Sequence, residues 1–274
     1  MPELPEVETL CRGLMGVLAG RRIRGVIVRR TDLRWPVPHR MLVEKLPGTR
    51  IIQIARRAKY LLLETGAGWV IVHLGMSGVL RVVSMDAAPG PHDHIDVLLD
   101  SGQGLRLTDP RRFGAVLWGG SDPLGHEVLR HLGPEPLAET FDGQALHVLI
   151  HHRKRPIKTV LMDGRIIAGI GNIYAVESLF QARLHPLRPA TTLTPEECHR
   201  LALAIKDRLT AAIARGGTTL RDFRHSDGRP GYFQQSLRLY GREGTPCPIC
   251  STPIAALRLG GRASPFCPDC QQKK

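Results

Sequence analysis

Four cysteines constrain this chain most. Cys247-Pro-Ile-Cys250 and Cys267-Pro-Asp-Cys270 are two CxxC knuckles separated by sixteen residues. A CxxC turn aims two thiolates at one point, and two such turns complete a tetrahedral site. Disulfide pairing is the competing reading, and a cytosolic setting disfavours it. Four thiolates leave no open coordination position, so the expectation is one structural Zn2+ ion rather than a catalytic metal. Ile254–Leu259 and Ala263–Phe266 flank Gly260-Gly261, a hairpin signal. Arg262 is thereby expected at the tip of a metal-stiffened hairpin, where one guanidinium is held well enough to meet a phosphate or a groove. The other two cysteines, Cys11 and Cys198, read as small buried hydrophobes.

The remaining sequence changes texture along its length. Pro5 opens a stripe of Val7, Leu10, Cys11, Leu14, Met15 and Leu18 at helical spacing, and Gly20 stops it. From Arg22 to about Gly119 short β-branched runs alternate with turns: Ile23–Arg29, Arg50–Ala55, Tyr60–Glu64, Trp69–His73, Val79–Val83, Ile95–Leu99 and Ala115–Trp118. After Gly133-Pro134-Glu135-Pro136 the pattern is helical over 142–152, 172–183 and 195–215, with Asn172 and Thr194 read as N-caps. These readings give an α+β chain. Its expected parts are an N-terminal β-sandwich domain with a leading helix (1–131), a helical domain (132–236) and a zinc finger (237–274).

Of the 274 residues, 38 are Lys or Arg and 25 are Asp or Glu, a formal charge of +13. Such a surface attracts polyanions through Coulomb attraction and counterion release, which points to nucleic acid. No apolar run approaches the length of a membrane span, and the N-terminus lacks a signal-peptide pattern, so a cytoplasmic protein with no membrane partner is expected.

Five segments occur in a telling order: Pro2-Glu3-Leu4-Pro5-Glu6-Val7-Glu8, His73-Leu74-Gly75-Met76-Ser77-Gly78, Asp109-Pro110-Arg111-Arg112-Phe113-Gly114, Gly169-Ile170-Gly171-Asn172-Ile173-Tyr174 and the cysteine module. Together they resemble the formamidopyrimidine-DNA glycosylase family, bacterial enzymes that excise oxidised purines and cleave the abasic site. The resemblance spans nearly the whole chain and implies a helix–two-turns–helix unit in the helical domain and a zinc-ribbon-like hairpin at its end. It implies a monomer acting on duplex DNA that carries 8-oxoguanine, formamidopyrimidines or abasic sites.

The resemblance also assigns roles. Pro2, freed by trimming of Met1, is the implied nucleophile. The chemistry suits it: an α-amino group titrates near 7.7–8.0, so part of it is neutral at physiological pH, whereas a lysine near 10.4 would need tuning. A secondary amine on sugar C1′ gives an iminium, an electron sink for β,δ-elimination. Glu3 is the implied general acid/base, and Glu6 a residue of the lesion pocket. Lys59 and Arg262 join the catalytic set as phosphate-binding cations. Met76, Arg111 and Phe113 fill the space vacated when the lesion is extruded, with Arg111 facing the orphaned cytosine. Asn172 and Lys158 are further DNA-binding candidates, the first also on physical grounds, because a helix start after Gly169-x-Gly171 offers free N–H groups to a phosphate. His73 reads equally as a phosphate ligand or a satisfied core histidine. Gly216 to Phe223 resembles the loop that closes over the extruded base, with Thr218, Arg221 and Phe223 as lesion-recognition candidates. Two alternatives remain open: an endonuclease VIII-like enzyme preferring oxidised pyrimidines, and a DNA-binding zinc protein without catalysis.

Overall fold

A computed structural model describes residues 2–217 and 237–273. The described chain divides into two compact units, residues 2–131 with 216 and 217, and residues 132–215 with 237–273.

The first unit begins with helix α1 (Leu4–Leu18), which Pro5 pre-organises in its first turn. Glu3 is its N-cap and forms a capping box with Glu6, and Leu4, Val7, Leu10, Cys11, Leu14 and Leu18 are buried. The stripe thus faces a core, as its spacing requires. Eight strands follow: β1 (Ile23–Val28), β2 (Ile51–Arg57), β3 (Tyr60–Thr65), β4 (Gly68–His73), β5 (Val79–Ser84), β6 (Asp93–Leu99), β7 (Gln103–Thr108) and β8 (Ala115–Gly120). They form two antiparallel four-stranded sheets, ordered β1-β6-β7-β5 and β2-β3-β4-β8. Side chains of both sheets and of α1 share one apolar core, a β-sandwich closed by its leading helix.

Two elements of this unit are not expected from the sequence. Helix α2 (His39–Lys45) has a single fully buried apolar residue, Leu42, too little to show a stripe. Strand β7 carries Arg106 in mid-strand, with 2 % of its surface exposed. Arg106 lies in register with Asp96 of β6 and grips its carboxylate at 2.8 and 2.9 Å, while Arg29 adds a third bond at 2.6 Å. Burial pushes the Asp96 carboxyl up, but these guanidinium bonds outweigh it and hold it below the usual carboxylate range. An arginine that reads as a surface residue is therefore half of a buried pair.

The second unit contains α3 (Gly143–Ile150), α4 (Ile157–Leu161), α5 (Asn172–Gln181) and α6 (Pro195–Ala214), followed by the hairpin β9 (Ala255–Leu259) and β10 (Arg262–Phe266). Asp142 caps α3 through Ala145 N–H at 2.8 Å, and Thr194 caps α6 in a capping box with Glu197. The five-residue α4 has no counterpart in the sequence pattern. Nor is Asn172 a cap: Gly171, extended at φ −122° and ψ −157°, occupies the N-cap position, and Asn172 is the first helical residue.

The cysteine module is packed into this unit. Cys247, Cys267 and Ile254 share an apolar cluster with Val176 and Phe180 of α5 and with Leu239. Gln271 accepts the Cys267 N–H at 3.0 Å and donates to Leu184 O at 2.8 Å. The Glu177 carboxylate, 1 % exposed, accepts the successive N–H groups of Arg238, Leu239 and Tyr240 at 2.9–3.2 Å. One buried carboxylate thereby fixes the chain that leads into the module.

Candidate active site and nucleic-acid interface

Chain ends usually fray, but residues 2–7 here are all buried. The Glu3 N–H donates to Glu6 Oε2 at 2.9 Å, and Glu3 and Glu6 are 3 % and 2 % exposed. The capping box therefore orders the start of α1 and with it the peptide unit beside Pro2. Glu6 has a second neighbour: Gly217 (φ +80°) approaches so closely that an added Cβ would stand 3.3 Å from Glu6 Cγ and Oε1. Only glycine takes both that backbone and that space without strain. Thr218, Arg221 and Phe223 lie outside the described residues.

Lys59 sits in the two-residue turn between β2 and β3, after Ala58, whose φ is +52°. Left-handed backbone on a residue with a Cβ costs of the order of 1–3 kcal/mol and persists where its surroundings enforce it. Arg56 is one such restraint, donating to Ala58 O at 3.1 Å and to Glu8 of α1 at 2.8 Å. Burial raises the Glu8 carboxyl, but Arg56 and Arg12 together hold it below its ordinary range. The turn bearing Lys59 is thus tied to the helix bearing Glu3.

His73, at the end of β4, is buried against Tyr60, ring centroids 4.8 Å apart, and its Nδ1 accepts the Gly75 N–H at 3.0 Å. Burial chiefly, with the charges of Arg34 and Lys59, depresses its pKa to about 4. This neutral imidazole is satisfied at Nδ1 and carries its proton on Nε2. Because its folded pKa lies below the unfolded value near 6.5, the folded state binds fewer protons, and stability falls as pH drops from about 6.5 towards 4. The full contribution is about 3 kcal/mol. His73→Gln is expected to flatten that part of the acid limb, read as urea midpoints of parent and variant at pH 7 and pH 4.5. Parallel limbs would show that His73 is not held neutral.

Met76 and Phe113 are 41 % and 44 % exposed, and Arg111 is exposed with its guanidinium 4.9 Å from the Phe113 ring. Phe113 is therefore not a core ring. The two loops carrying these residues touch: an added Cβ at Gly75 (φ +61°) would fall 2.3–2.5 Å from the backbone of Phe113 and Gly114. Arg112 between the candidates has φ +57°. The residue joining these loops carries no signal of that role in the sequence. Asp109, with no exposed surface, accepts from Ser77 Oγ and from Gly114 N–H, each at 2.7 Å.

In the second unit Arg262 is exposed beside Gly260 (φ +55°) and Gly261 (φ +72°). Positive φ at both positions is the type I′ turn that the Gly-Gly pair signals. Lys158 is fully buried and reaches back to this hairpin, donating to Ser264 Oγ and, at 3.3 Å, to Ala263 O. The Asn172 side-chain amide donates to the same carbonyl at 3.0 Å. Both candidates thus brace the strand that carries Arg262.

The four cysteine sulfurs lie within 4.8 Å of one another, with pairs at 3.3, 3.6 and 3.9 Å. Tetrahedral zinc at about 2.3 Å from each sulfur requires sulfurs roughly 3.8 Å apart. The donor set fits one structural zinc ion. Cys11 and Cys198 are instead buried, the first within the apolar core of the sandwich, and burial pushes both thiols up to about 11.

Three family models cover the chain: the formamidopyrimidine-DNA glycosylase N-terminal domain over residues 1–116, the H2TH domain of the same enzymes over 132–224, and a zinc finger found in FPG and IleRS over 244–273. The formamidopyrimidine-DNA glycosylase of Stenotrophomonas maltophilia strain K279a is 54% identical over 274 residues, covering 99% of this chain and 100% of that one. The chain belongs to the formamidopyrimidine-DNA glycosylase family. Solved glycosylases of this family share its fold. The MutM (Fpg) protein of Thermus thermophilus superposes with a TM-score of 0.89 at 40% identity over 100% of both chains. The Lactococcus lactis Fpg in complex with abasic-site DNA gives 0.92 at 34% identity, over 99% of this chain and 100% of that one. Among the described residues no helix is long and apolar enough to cross a membrane.

Proposed function

We propose that this base-excision repair glycosylase removes oxidised purines, 8-oxoguanine and formamidopyrimidines, from duplex DNA and then cleaves the abasic site by β,δ-elimination, acting as a cytoplasmic monomer. The observation that carries the reading is the order of the N-terminus: Pro2 and Glu3 are buried and a capping box fixes the peptide after them. A nucleophile must be held near its target to gain the advantage of proximity.

In this reading the Pro2 nitrogen, neutral and carrying its lone pair, bonds to sugar C1′ as the damaged base departs with the electrons of the glycosidic bond. The attached nitrogen passes its proton to the departing base, Glu3 donates a proton to the ring oxygen as the sugar opens, and the regenerated nitrogen lone pair closes the iminium. Loss of a proton from C2′ then expels the 3′ phosphate, and a second elimination expels the 5′ phosphate. Lys59 and Arg262 bind the flanking phosphates, Glu6 borders the lesion, and Met76, Arg111 and Phe113 occupy the gap in the stack. Asn172 and Lys158 serve DNA binding through the hairpin they brace. Zinc supplies rigidity to that hairpin and takes no part in the steps.

The direct test compares excision of 8-oxoguanine opposite cytosine with excision of thymine glycol. Faster release of the oxidised purine is expected, and the reverse order would transfer the chain to the endonuclease VIII-like reading. Borohydride should also trap a covalent protein–DNA adduct at an abasic site, which a DNA-binding protein without chemistry cannot form. For the hairpin tip, Arg262→Ala is expected to weaken DNA binding and reduce the slope of log K against log salt by about one. An unchanged slope would remove Arg262 from the phosphate contacts.

A further inference from the structure

We propose that Asp109 and Ser77 are positioning residues for the lesion-extruding wedge, coupling the Met76 loop to the Arg111–Phe113 loop so that both enter the stack as one body. The inference rests on the wedge reading of Met76, Arg111 and Phe113 given above.

Asp109 ends the strand-to-loop passage after β7, and every polar atom it offers is used. Oδ1 accepts from Ser77 Oγ at 2.7 Å and from Arg111 N–H at 3.3 Å, and Oδ2 accepts from Gly114 N–H at 2.7 Å. Its carbonyl accepts from His94 Nε2 at 2.8 Å and from Arg112 N–H at 3.3 Å. Arg111 N–H also reaches Ser77 Oγ at 3.3 Å. One carboxylate therefore holds both ends of the Arg111–Phe113 segment, and through Ser77 it holds the residue following Met76. Asp109 and Ser77 are 0 % and 8 % exposed, whereas the side chains they orient project outward.

This division of labour follows from what a wedge must do. Exposed side chains that enter a base stack are held by few contacts in the free protein, so their loops need to be rigid beforehand. The backbone shows that rigidity is imposed here. Arg112 is left-handed without being glycine, and Gly75 meets the Phe113–Gly114 backbone with no room for a Cβ. Asp109 supplies charge-assisted bonds that stabilise this arrangement. An asparagine would keep its shape but offer one acceptor oxygen where two are used.

The experiment uses the full-length, zinc-loaded protein with Ser77→Ala and Asp109→Asn, checked for parental zinc content and thermal midpoint. Two rates are compared: excision of 8-oxoguanine from duplex DNA, and borohydride trapping at a preformed abasic site in a single strand, which has no stack to hold open. Each variant is expected to slow duplex excision about 10-fold or more while single-strand trapping stays within about 2-fold of the parent. Equal slowing of both reactions would assign these residues to general stability and overturn the proposal, as would unchanged duplex excision. Ser77→Ala removes only a hydroxyl and keeps the test decisive if Asp109→Asn folds poorly. A parent that neither excises nor traps would instead sink the glycosylase reading itself.

Discussion

Pro2→Gly is expected to lower borohydride-trapped adduct at an abasic site by about 100-fold or more, the scale on which removing one participating group acts, while DNA affinity stays near that of the parent. Glycine leaves a primary amine on a more mobile chain end, so both the basicity of the nucleophile and its placement change. Pro2 and Glu3 are buried and the Glu3 N–H is bonded to Glu6, so the substitution disturbs a held geometry rather than a loose tail. Affinity should survive because the exposed cations proposed to meet phosphate, such as Arg262, lie elsewhere in the chain. Trapping is read on denaturing gels and affinity by anisotropy with an uncleavable abasic analogue. A variant that traps as well as the parent would show that another amine is the nucleophile. Intact mass of the parent separates the remaining case, since a retained Met1 would block the Pro2 nitrogen.

Much of this architecture is legible in the residues, and the exceptions share a cause. Helix α1, seven of the eight sandwich strands and the Gly260-Gly261 turn follow from local spacing, because each signal lies within a few residues of its effect. Strand β7 does not, since Arg106 becomes a buried strand residue only when the Asp96 carboxylate neutralises it from the neighbouring strand β6. The same holds at the site. Glu177 resembles any helical glutamate until Arg238, Leu239 and Tyr240 turn their N–H groups on it from more than sixty residues away. Asp109 and Ser77 are thirty-two residues apart, and no periodicity marks their bond. Asn172 reads as a cap because asparagine favours that position, yet Gly171 takes the extended backbone and frees the amide for Ala263 O. Exposed candidates such as Met76, Phe113 and Arg262 are visible through family motifs. The buried groups that orient them need the fold.

Removing zinc should have the largest structural effect in the second unit. Structural zinc in small modules contributes about 10–16 kcal/mol of folding free energy, and a module of this size buries too little apolar surface to fold unaided. Here the loss would not stay local. Cys247 and Cys267 belong to a cluster with Val176, Phe180 and Leu239, and Gln271 links Cys267 to Leu184 O. Strand β10 of the hairpin is also where Lys158, fully buried, finds Ser264 and Ala263. When the hairpin loosens, that ammonium loses two of its partners, and an underpartnered buried charge is strongly destabilising. Cys267→Ser, or exhaustive chelation, is therefore expected to abolish zinc content and weaken binding to abasic-site DNA by about 100-fold, the scale of losing a pair of phosphate contacts. Excision should fall with it. The sandwich of the first unit has its own core and should persist, so a folded β signal in circular dichroism should accompany the loss. Metal-free protein that bound DNA with parental affinity would show that the hairpin holds Arg262 in place without zinc.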